Sequence, residues 1–167
     1  MFFKKNHNLI IYNKLLFLSR NIFFYKDLSL KDTFETRVFL MFIHYSIILI
    51  IFKKKKKKID QENYNNLFYC IENNLRELGF GDISVNKKMK DLNKYFYDIL
   101  LKINVGNNEF KLNKKLISKY FEILSKNQDK TEKFEVYLKN FYNFCFEISA
   151  NNMIDNIESF KFNYGSS

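Results

Sequence analysis

Apolar positions recur at three- and four-residue spacing along most of the chain, and nowhere does a sustained alternation suggest a half-buried strand. Tyr64, Leu67, Phe68, Ile71, Leu75 and Leu78 form one helical stripe, and Val85, Met89, Leu92, Phe96, Ile99 and Ile103 a second. Leu112, Leu116, Tyr120 and Leu124 form a third; Phe134, Leu138, Phe141, Cys145 and Ile148 form a fourth. A first helix is predicted near Asn8 to Phe24, burying Leu9, Leu15, Leu16, Leu18 and Phe23. Ser29, with Asp32 three residues on, resembles a capping box opening a long helix to about Lys56. Asp60 is placed to cap the helix ending at Leu78, Ser84 the one ending near Ile103, and Asp129 with Glu132 the one carrying the fourth stripe. A short last helix follows over Met153 to Phe160, then a frayed tail from Tyr164 to Ser167. The expected fold is all-α, a bundle of six to seven helices without strands.

Val105-Gly106-Asn107-Asn108 is the clearest loop. It separates a core over residues 28–104 from a C-terminal helical part of the same domain over residues 105–167, with a basic amphipathic helix over residues 1–27 in front. The run Val38 to Phe52 has 15 residues, with His44, Tyr45 and Ser46 at its centre. At about 1.5 Å per residue it falls short of a hydrocarbon core of about 30 Å. Glu35 and Arg37 block its extension on one side and six lysines on the other. It therefore reads as a central helix buried on several faces.

Four glycines and no proline favour long helices over a turn-rich β protein. Abundant Lys, Asn, Ile and Phe with a single alanine suggest an AT-rich coding bias, which weakens arguments from composition. Of the net charge of +10, Lys53, Lys54, Lys55, Lys56, Lys57 and Lys58 supply six. One basic run needs explaining, not a basic protein. Cys70 and Cys145 stand far apart without histidines at ligand spacing, so they read as reduced core residues and no metal site is expected. No phosphate-binding glycine loop and no nucleophile–base–orienter set is recognisable, and the expectation is a protein that is not an enzyme, with no catalytic residues and no cofactor. The N-terminus lacks a small-residue cleavage site and carries only Arg20 as arginine, so it reads as a mature first helix.

Between the first two stripes lies LRELGFGDISVNKKMK, Leu75 to Lys90. Gly79 stands where a helix favours a left-handed residue after its last turn. This corner resembles the ubiquinol–cytochrome c chaperone family, whose hallmark L-R-E-x-G-[VF]-G-D-x-x-V-x-K-x-M-K is matched by Leu75, Arg76, Glu77, Gly79, Phe80, Gly81, Asp82, Val85, Lys87, Met89 and Lys90. An upstream D-T-x-x-x-R leading into a helix with a histidine is matched by Asp32, Thr33, Arg37 and His44, and Phe96-Tyr97 matches a third feature. The resemblance spans roughly Leu28 to Ile103. Asp98-Ile99 departs from it, standing where the family carries Gly-Arg.

The resemblance implies an assembly chaperone that binds newly made cytochrome b and promotes assembly of ubiquinol–cytochrome c reductase, respiratory complex III. Arg76, Glu77, Asp82, Lys87, Lys90 and His44 are its candidate client or partner contacts. Four of them also have a structural reading: Asp82 as a helix cap paired with Arg76, Glu77 as solvated surface, His44 as a core residue bonded to a carbonyl or carboxylate. Asp32 and Arg37 do not share a helix face well, so each is expected to find a partner on another helix. The lysine run reads either as a solvated helix end or as a site for an anionic partner, a lipid surface or the RNA of a ribosome. Its alternative function is a basic helical RNA- or ribosome-binding module, and a third is a small membrane-anchored protein. The expected location is the bacterial cytoplasm, peripheral at the inner membrane, or the matrix side in a mitochondrion.

Overall fold

The computed structural model describes residues 10–107 and 109–162; the predicted helix start at Asn8 and Leu9, loop residue Asn108 and the tail from Tyr164 lie outside them. The fold is all-α: α1 (Ile10–Ser19), α2 (Ile22–Lys26), α3 (Phe34–Lys54), α4 (Gln61–Glu77), α5 (Asp82–Lys102), α6 (Lys114–Tyr120), α7 (Glu122–Ser125), α8 (Gln128–Glu147) and α9 (Ala150–Asn156), closed by a single 3-10 turn. More helices form than the six to seven expected because two predicted stretches break. Asn21 leaves the helical region and caps α2 through its own side chain, and Phe121 (φ −136°, ψ 57°) interrupts the third stripe between α6 and α7.

Helix α3 is the axis, and α1, α5 and α8 pack directly on it. It is the one described helix long and apolar enough to cross a membrane, and here its middle is enclosed by protein. Its residues from Leu40 to Ile48 are all buried, including His44, Tyr45 and Ser46. Aromatic rings fill the interfaces: Phe42 stacks on Phe68 of α4 and meets Phe96 of α5 edge-on, and His44 packs against Phe141 of α8. Cys70 and Cys145 are buried and unbridged, and burial pushes the Cys145 thiol up to about 12.

Several local expectations need correction. Ser29 does not cap α3; it takes a left-handed backbone (φ 57°), and its hydroxyl accepts from Lys130. Thr33 caps the helix instead, its hydroxyl accepting from the Thr36 amide at 3.2 Å. Because Asp32 precedes the helix and Thr33 is extended, the Asp32 carboxylate turns back to Arg37 at 3.5 Å, so this pair is made within one segment. Ser84 is likewise inside α5, which starts at Asp82 after Gly81. Asn127, not Asp129 or Glu132, caps α8. Asp60 does cap α4.

The predicted loop is partly strand: Val105 and Gly106 belong to β1 (Asn104–Gly106), which pairs antiparallel with β2 (Glu109–Lys111), strands too short for a period of two to show in the sequence. Asp98, the departure from the family pattern, has a structural use nearby. Its carboxylate accepts from Lys102, from Lys119 at 2.9 Å and from the Tyr120 hydroxyl at 2.5 Å, tying α5 to α6. The Lys102 ammonium foremost, with Tyr120 and Lys119, holds this carboxyl well below its ordinary range.

Candidate functional site

The corner between α4 and α5 is built by backbone hydrogen bonds that only certain residues permit. Gly79 has φ 94°; its amide donates to the Arg76 carbonyl at 3.0 Å and the Phe80 amide to the Leu75 carbonyl at 3.3 Å. This pair of bonds is the Schellman ending, which satisfies the last carbonyls of a helix and favours glycine at its left-handed position. Arg76 then reaches across the corner to Asp82 and back to Glu72 at 3.3 Å. Lys88 lies over the Phe80 ring, 4.6 Å from its centroid. Arg76 and Asp82 thus hold each other, while Glu77 makes no ion pair with a described cation.

Ending α4 at this point lifts Leu78, the last member of its apolar stripe, out of the core to 59 % exposure. Two clefts adjoin there. One of about 200 Å³ is lined by Arg20, Phe34, Arg37, Met41, Glu77 and Leu78, with Tyr12 and Leu16 of α1 forming its outer wall. The other, of about 430 Å³, is lined by Phe34, Phe39, Leu78, Phe80, Lys88 and Tyr95, with Glu35 and Asp91 as its acids. Phe34 and Leu78 line both. The Asp32-Thr33…Arg37 segment and the Leu75-to-Asp82 segment, some forty residues apart in sequence, therefore meet in one apolar double cleft with charged rims. Such a surface suits an apolar protein segment carrying a few charges, since concave apolar walls gain from being covered and rim charges fix orientation.

The other candidate residues lie elsewhere. His44 is fully buried: Nδ1 donates to the Leu40 carbonyl at 2.6 Å, and Nε2 accepts from the Tyr137 hydroxyl at 2.7 Å. A carbonyl has no proton to give, which fixes this tautomer. No surface partner reaches that ring, so the expected partner contact gives way to a core role. Lys87 and Lys90 are exposed on α5 but line neither cleft.

The lysine run is not one uniform patch. Lys56 takes φ 55°, its amide donating to the Lys53 carbonyl and that of Lys57 to the Phe52 carbonyl, so the run contains a second Schellman turn with lysine in the left-handed place. Lys55 donates to the Ile148 carbonyl at 2.5 Å and lies 5.1 Å from the Phe146 ring centroid, holding α3 to the end of α8. Lys53, Lys56, Lys57 and Lys58 are exposed. They sit at the far end of α3 from Phe34, about 30 Å along the helix.

Sequence reasoning missed Arg20, Phe34 and Lys88 as cleft residues and read Leu78 as core. A large apolar residue next to a glycine turn was the available signal. Among the described residues no cluster of side chains could hold a metal ion.

No curated protein and no solved structure matches the chain. The family model for the ubiquinol–cytochrome C chaperone matches residues 26–116, more than half of it, and that stretch contains both segments that meet at the double cleft. The chain belongs to the ubiquinol–cytochrome C chaperone family.

Proposed function

We propose that this chain is an assembly chaperone that binds newly made cytochrome b through the double cleft and promotes assembly of ubiquinol–cytochrome c reductase. Family membership supports a respiratory-chain client. The observation that carries the rest is the meeting of the two motif segments around exposed Leu78. The action is binding without bond chemistry: the clefts cover an apolar segment of the client until its mature partners displace the chaperone. That requires higher affinity for the unassembled client than for the finished complex. The chaperone acts where this client is inserted, at the cytoplasmic face of the inner membrane or the matrix face in a mitochondrion. Deleting the chain should lower assembled cytochrome b and quinol-dependent cytochrome c reduction while leaving the cytochrome b transcript unchanged. Normal cytochrome b and normal quinol oxidation in the deletion strain would sink this assignment. A second reading, an RNA- or ribosome-binding module, draws on the four exposed lysines at the far end of α3. Salt-sensitive RNA binding with no effect on cytochrome b would favour it.

A further inference from the structure

We propose that the outward face of α5 is a contact for an anionic phospholipid surface. Ile83, Lys87, Lys90, Lys94, Tyr97 and Leu101 follow one another at spacings of four, three, four, three and four, which puts them on one side of the helix. All six are exposed, Ile83 by 87 % and Leu101 by 84 %. Asn86 and Asn93 border the face on one side, and no carboxylate falls within it. At its other edge stand two carboxylates: Asp98, bonded to Lys102, Lys119 and Tyr120, and Asp91, which lines the larger corner cleft and makes no ion pair with these lysines. None of the three lysines makes an ion pair with a described carboxylate, although like charges three and four apart on a helix repel.

An unpaired lysine ladder calls for a negative partner, and the geometry selects its kind. None of its six residues lines either corner cleft or the other main clefts of the fold. Ile83 and Leu101 bracket the lysines about 27 Å apart along the axis. A rigid protein groove would have to match that spacing. A bilayer does not: isolated apolar side chains sink between headgroups wherever they stand, while lysines reach phosphate around them. Tyr97 has the amphipathic ring that favours such an interface. The contact depends on α5 alone and stands whether or not the clefts hold a client.

The chain has no tryptophan, which makes the test direct. Leu101→Trp and Ile83→Trp should each show a blue-shifted emission on vesicles of phosphatidylglycerol and phosphatidylcholine, and quenching by brominated lipid. Neither change should appear on phosphatidylcholine alone, and Val136→Trp, a partly exposed position on α8, should show neither on any vesicle. Neutralising Lys87, Lys90 and Lys94 together to glutamine should weaken vesicle binding about a hundredfold with the helical signal intact. Water-like emission at both tryptophans, or unchanged vesicle binding by the triple variant, would overturn the proposal. So would loss of RNA binding in that variant with vesicle binding kept, which would give the face to nucleic acid. Capture of cytochrome b in detergent reads the double cleft separately, so failure of one result does not count against the other.

Discussion

His44 and Tyr137, 93 residues apart, meet in the centre of the bundle, with Nε2 of the ring 2.7 Å from the hydroxyl. The contact joins α3 to α8 and leaves the imidazole no room for a second proton without losing the hydroxyl as donor. Burial lowers the histidine pKa from 6.5 to about 4, opposed by the Leu40 carbonyl. Between those values the unfolded chain binds a proton that the native ring refuses, so stability falls as pH drops through that window. Above it the contribution is fully present, roughly 3 kcal/mol at most. Denaturant unfolding should show a slope of stability against pH from about 6.5 to 4.5 that is flatter in His44→Gln than in wild type. Tyr137→Phe should cost about 1–3 kcal/mol by stranding Nε2 as a buried acceptor.

The two glycines of the corner should respond unequally. Gly79→Val should cost about 1–2 kcal/mol or more, because a β-branched residue resists φ 94° even though no atom crowds the site. Gly81→Ala should change stability by less than about 0.5 kcal/mol, since its φ is −76° and the space is open. Thermal melts of both variants check this pair, and equal losses would remove the backbone explanation.

Within the lysine run the effects should divide by position. Lys55→Gln should lower the melting temperature, because the Ile148 carbonyl and the Phe146 ring lose their cation. Lys56→Gly should raise stability by about 1 kcal/mol by relieving a left-handed L-residue. Replacing Lys53, Lys57 and Lys58 by glutamine should leave the melt within about 0.5 kcal/mol and weaken salt-sensitive binding to anionic vesicles or ribosomes.

Leu78→Asp should keep the helical signal and a cooperative melt, because the side chain is mostly in solvent, yet weaken capture of unassembled cytochrome b about tenfold. Glu77→Lys should act in the same direction, placing a third cation beside Arg20 and Arg37 at the cleft rim. Pull-down with each variant measures both, and wild-type capture by Leu78→Asp would remove the double cleft as the docking surface.

Helices α4, α5 and α8 were legible because each carries an apolar stripe at the right period, α3 because it is an unbroken apolar run, and the Gly79 turn because few residues tolerate its backbone. Capping was read less well. Ser29, Thr33 and Ser84 all have the right side chain, and backbone angles set by tertiary packing decide which of them caps. The Asp32–Arg37 pair was missed because helical spacing was applied to a residue outside the helix. His44's partner lies 93 residues away, beyond any local pattern. The cleft was half legible: motif residues Arg37 and Glu77 line it, but Arg20 and Phe34 join only through the packing of α1 on α3 and α4. Ile83 and Leu101 escaped notice because they lie off the stripe that faces the core.

The smaller cleft has walls of different origin. Arg37, Glu77 and Leu78 fall inside the stretch matched by the family, whereas Tyr12, Leu16 and Arg20 belong to α1 and the residue after it, ahead of that stretch. Lys14 of the same helix pairs with Glu158 near the other end of the chain, while buried Ile11, Leu15 and Leu18 seat α1 against α3 and α4. A substitution in α1 therefore reshapes the proposed docking cleft while every signature residue stays in place. Under the proposed docking, selectivity can change independently of the signature, and two chains indistinguishable by their motifs need not take the same client segment.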